Sequence, residues 1–137
     1  MLDERIFLIL GYLLFCIGSI LGIPHGMSKG KGDPAHTELW RVAHLSTCIG
    51  GISIIGLQYA LKNILPEIWV YALGAYSSAS YLFAMACMLS AIKKVHWYKN
   101  RKMKTAKVIY SMHIVASCLS MIAIVGTLGA LFYRLFI

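Results

Sequence analysis

The chain has 137 residues, 59% of them hydrophobic and 13% charged, with a formal charge of +8. A soluble domain of that length cannot bury so much apolar surface in one core, so lipid must cover the remainder. The apolar runs are continuous and do not alternate, which excludes a membrane β-barrel.

The class that remains is all-α: an integral membrane four-helix bundle, with residues 1–137 forming one domain. Its apolar runs cover about 6–24, 42–61, 68–92 and 108–136, each near the roughly 20 residues that a bilayer core requires. Helix 1, expected over 6–24, follows Asp3, Glu4 and Arg5. No small-residue cleavage pattern follows it, so it reads as a retained helix and not a removed signal. It contains Gly18-x-x-x-Gly22, a pairing that lets helices approach closely where lipid removes the hydrophobic drive.

Helix 2 is expected over 34–61. Asp33 is a suitable N-cap, and Pro34 suits the first helical position, where its missing N–H is not needed. The helix then starts above the membrane surface and sets His36, Trp40 and His44 on one face. Pro66 opens helix 3, expected over 67–95, and helix 4 is expected over 107–136. Cys16, Cys48, Cys87 and Cys118 fall one per helix without a C-x-x-C pair, as small apolar filler does.

Positive charge is concentrated in two links. Residues 93–107 hold Lys93, Lys94, Lys99, Arg101, Lys102, Lys104 and Lys107, and residues 25–41 hold Lys29, Lys31 and Arg41. Arg5, Lys62 and Arg134 are left for the opposite side. The positive-inside rule places both links in the cytoplasm and both termini outside, with a bacterial cytoplasmic membrane as the expected location. Trp97 and Tyr98 accompany the basic run. Beside a membrane span that combination reads as headgroup contact and not as nucleic-acid binding.

Five histidines remain to be placed. His25, His36 and His96 fall near the surface, whereas His44 and His113 lie inside apolar runs, where an ionisable side chain is a functional candidate. Arg41 shares the face of His44 one turn nearer the surface, Trp40 continues that face, and Thr47, Cys48 and Gly51 below are small. A neutral imidazole with clearance beside it and an arginine above suits haem b. A lone zinc or copper ion lacks further ligands at helical spacing. His113 offers a second axial ligand, which would give a six-coordinate electron carrier. His44 alone would leave an iron position open as a Lewis acid. A haem-free accessory membrane protein, with His44 simply packed, is the bland reading.

The stretch "LWRVAHLSTCIGG" (39–51) resembles the second helix of styrene oxide isomerases. Arg41-Val42-Ala43-His44 matches their Arg-x-Ala-His, although Trp40 stands one position closer than in that pattern. "SYLFAM" (80–85) resembles their aromatic segment, with Tyr81 as the tyrosine. The first and last helices look more like the related hydroxylaminobenzene mutases. One departure stands out: both families carry asparagine six residues after the histidine, where this chain has Gly50.

The resemblance implies that His44 ligates ferric haem b, with Arg41 anchoring a propionate, Trp40 and Gly51 beside the macrocycle, and Tyr81 orienting the substrate oxygen. The implied reaction takes a small aromatic epoxide to an aldehyde by Lewis-acid ring opening and a 1,2-hydride shift. Rearrangement of an aryl hydroxylamine is the alternative within the isomerase class. A homo-oligomer, a trimer on the family pattern, is the implied assembly.

Overall fold

In lipid every backbone polar group must be satisfied within its own segment, and four long apolar runs therefore become four helices. The structure, a computed structural model, describes residues 5–96 and 102–136. Asp3, Glu4, Trp97, Tyr98, Lys99 and Arg101 lie outside those described residues. The helices are α1 (Arg5–Gly30), α2 (Pro34–Ile64), α3 (Trp69–Lys93) and α4 (Lys104–Phe136). All four are long and apolar enough to cross a membrane. The protein is an all-α membrane four-helix bundle, with no strand among the described residues.

The first link departs from expectation. α1 does not end near residue 24 but continues through Pro24 to Gly30. Proline within a helix forfeits one N–H and crowds the preceding turn, a cost that surrounding packing can absorb. The connection to α2 is then short. Lys31 N–H bonds to the Ser28 carbonyl and Gly32 N–H to that of Lys29, and Gly32 takes φ 67°, a left-handed value suited to glycine. Asp33 accepts from His36 N–H at 3.1 Å and caps α2 as its sequence suggests. Most of the basic stretch 25–41 is therefore helical. Pro66 lies in a turn, and α3 starts at Trp69, later than the expected 67.

α1 and α2 meet backbone to backbone. A Cβ on Gly51 would lie 2.6 Å from Phe15 N and 2.7 Å from the Gly11 carbonyl oxygen, and one on Gly18 would lie 2.6 Å from Cys48 N. α3 packs against α2 and α4 and touches α1 lightly, whereas α4 packs along α3 and meets α2 at its C-terminal end, where Arg134 donates to the Ile64 carbonyl. The core joins Phe7 and Leu14 of α1, Ile54 of α2, and Leu73 and Ala84 of α3. Exposed Ile9, Ile20, Ile49, Ile52, Met121, Ile122 and Phe132 form an apolar exterior, the surface that a bilayer requires. Because α4 and α2 do not pack closely along most of their length, an apolar groove runs between them with α3 as its floor.

Candidate cofactor site

His44 projects from α2 towards α1. Its Nδ1 lies 2.7 Å from the Gly18 carbonyl oxygen. A carbonyl can only accept, so Nδ1 carries the proton, and in the neutral ring Nε2 is left with a lone pair. Fixing one imidazole nitrogen on a backbone carbonyl is how proteins orient histidine ligands and raise their basicity. Among the described residues Nε2 has no hydrogen-bond partner, and it is not sealed from the exterior. The arrangement therefore presents an oriented nitrogen donor.

The neighbouring α1 residues make room for it. Gly18, Gly22 and His25 recur at spacings of four and three and so share one helix face. A Cβ on Gly22 would stand 3.4 Å from His44 Cε1. His25 stacks on His44 with ring centroids 6.2 Å apart and planes inclined by 25°. Sequence reasoning treats Gly18 and Gly22 as packing residues and His25 as a surface residue. The spacing of the three was the available signal, hidden by the expectation that α1 stops at Pro24.

Other expected site residues are placed differently. Arg41 binds Glu38 through two hydrogen bonds of 2.7 and 2.6 Å, both side chains being about half exposed. Trp40 packs with Leu21, Ala43, Cys87 and Ala91, and its Nε1 lies 2.9 Å from His36 Nε2, which also faces the Ala91 carbonyl oxygen at 3.0 Å. The small residues below His44 are filled by the fold. Thr47 is buried and donates to the Ala43 carbonyl at 2.6 Å, Cys48 abuts Gly18, and Gly51 serves the α1–α2 contact two turns deeper. The Tyr81 hydroxyl donates to the Leu10 carbonyl at 2.7 Å. Leu10 precedes Gly18 by eight residues, about 12 Å along α1. One chain does not bring Tyr81 and His44 together.

Nor does it bring His44 and His113 together. His113 sets its ring edge-on to Phe83 at 4.8 Å and lines a cavity of about 430 Å³ between α2, α3 and α4. The α2 residues facing that cavity include Leu39 and Val42, about 140° and 160° around the helix from His44. Deeper in the same groove, Gly50 borders a cavity of about 540 Å³ with Tyr76, Ser80, Ser117 and Ser120. A Cβ at Gly50 would meet Leu14 Cδ2 at 3.2 Å and Ser80 Cβ at 3.4 Å. An asparagine there would require both neighbours to give way.

Among the described residues no three His, Cys, Asp or Glu side chains converge as a cage for a bare metal ion. A porphyrin supplies four of its iron's ligands itself, so a single oriented imidazole is the protein donor it needs. The family model described as styrene oxide isomerase matches residues 3–132. Neither the curated proteins nor the solved structures contain a match to this chain.

Proposed function

The chain belongs to the styrene oxide isomerase family, and from that premise we propose that it is a haem b-dependent membrane isomerase converting a small aryl epoxide to an aldehyde. The observation that carries the reading is the His44–Gly18 hydrogen bond, which leaves Nε2 as the free donor of an oriented ring. Bound ferric haem supplies a Lewis acid for an epoxide oxygen. The rearrangement itself breaks the benzylic C–O bond, moves a hydride between adjacent carbons and closes a carbonyl, so no atom or electron is gained.

The chain's own residues have three tasks. His44 holds its ring in one tautomer, with Gly22 providing space beside it. The Phe83, Ile114 and Tyr76 walls of the groove keep water from an electron-poor carbon. Groove hydroxyls such as that of Ser80 donate a hydrogen bond to the substrate oxygen. His44 and the groove open on different sides of α2, so a second copy supplies the opposite wall in this reading. A homo-oligomer, with the basic links cytoplasmic, is the proposed assembly.

The likeness of the first and last helices to hydroxylaminobenzene mutases keeps aryl hydroxylamines as a second substrate class. Purified protein given ferric haem should develop a Soret band and turn styrene oxide into phenylacetaldehyde. His44→Ala should lose the pigment and lower turnover by roughly a hundredfold or more, because a Lewis acid worth several kcal/mol leaves with the haem. A colourless wild type, or full activity in His44→Ala, defeats the reading. Phenylhydroxylamine offered in parallel distinguishes the two isomerase substrates.

A further inference from the structure

His25 has no part in the reading above, yet the fold treats it unusually. It lies on α1 one turn beyond Gly22, stacked on His44. Its Nε2 is buried, with no hydrogen-bond partner among the described residues. Buried polar nitrogens are nearly always bonded, because an orphaned one forfeits its hydration without compensation. The side chain is not on a remote surface where such a loss is incidental. It stands against His44, whose own Nε2, with the bond to Gly18 made, has no hydrogen-bond partner among the described residues.

The charges around it have one sign in excess. Lys29, one turn further along α1, and Arg41 of α2 both act on His25. Among the described residues the acid acting there is Glu38, which is already held by Arg41. A polar nitrogen without a partner, beside Lys29 and the Arg41–Glu38 pair and so in a net positive field, is a setting for a carboxylate.

We propose that His25 is a carboxylate-binding residue of the cofactor site: its Nε2–H donates a hydrogen bond to a propionate of the haem ligated by His44. The inference rests on the haem reading and deepens it. It assigns α1 a double role, with Gly18 orienting the ligand and His25 holding the rim of the macrocycle. Arg41 then acts alongside His25 and is not the sole anchor.

The test uses full-length protein freed of haem and titrated, at one detergent concentration, with ferric haem and with its dimethyl ester. His25→Phe keeps an aromatic ring against His44 and removes the nitrogen. His25→Gln restores a donor. The wild type should bind haem tightly. His25→Phe should bind haem roughly ten- to a hundredfold more weakly, as expected for the loss of a hydrogen bond to a charged group. It should bind the dimethyl ester as the wild type does, and His25→Gln should recover part of the haem affinity. An unchanged haem dissociation constant in His25→Phe overturns the inference, and so does an equal loss for haem and ester, which would mean a merely structural role. If wild type binds neither ligand, the haem reading itself has failed, which is a different result.

Discussion

The two halves of the bundle are built to different tolerances. α1 and α2 touch through their backbones at Gly11, Gly18 and Gly51, where even a methyl group would collide with main-chain atoms. α4 rests mainly on α3, and a Cβ added to its Gly126 or Gly129 would meet nothing within 4 Å. The contrast is chemical as well as mechanical. The tight half holds the oriented imidazole, which needs a fixed carbonyl partner, whereas the open half encloses apolar space whose walls a substrate or a neighbouring copy can share. In lipid, helices associate by close packing and not by hydrophobic drive, so the location of small residues marks where rigidity is required.

The largest expected effect breaks the tight half. Gly51→Ala places its new carbon 2.6 Å from Phe15 N and should destabilise the fold by about 1–3 kcal/mol or more, as overpacking does. Haem binding should fall with it, because Gly18 and His44 ride on the same contact. The matching change in the open half, Gly126→Ala, should be harmless or raise stability by about 0.5–1 kcal/mol through helix propensity alone. Thermal denaturation in detergent compares the pair. A destabilised Gly126→Ala would mean that α4 has a close partner beyond its own chain, and the contrast would then belong to the protomer only.

Gly22→Ala sharpens the comparison at intermediate size. Its Cβ would stand 3.4 Å from His44 Cε1, at the short edge of ordinary contact with the ring and away from main-chain atoms. Stability should change little, while haem affinity drops several-fold, on the order of 1 kcal/mol for a small forced shift. Parallel melting and Soret titrations separate the two quantities. Equal affinity with an unchanged spectrum would show that the ring has slack and that the Gly18 bond alone sets its direction.

Much of the scaffold is legible in the sequence because lipid imposes a simple rule. An apolar run about 20 residues long must become a helix, and the Asp33-Pro34 cap announces the start of α2 before any packing is known. His44 stands out for the same reason, as an ionisable group in an apolar run. The orientation of its ring does not, because Gly18 is 26 residues away and contributes a carbonyl that no side-chain pattern reports. His25 is missed through a local rule that tertiary packing overrides, namely that proline ends a helix. Tyr81 shows the opposite limit. A tyrosine in helix 3 invites a catalytic role, but its hydroxyl is tied to Leu10, a contact set by how α1 and α3 lie together. The groove along α4 is likewise a property of arrangement, since its serines are spread over three helices.

The smallest predicted effect concerns the rim of the tight half. Glu38 engages two nitrogens of Arg41, yet both side chains are about half exposed, and exposed ion pairs add little to stability because water and salt screen them. Glu38→Gln should therefore leave the melting temperature where it was. Its consequence lies in charge: Arg41 loses its competing carboxylate, and the field at the mouth becomes more positive. Haem affinity should rise slightly, about two- to fivefold at low ionic strength, with the gain fading as salt is added. The dimethyl ester should show no gain, because it has no carboxylate for Arg41 to meet. A fall in haem affinity would reverse the assignment: Glu38 would then be the residue that aims Arg41, and the ion pair a working part of the rim.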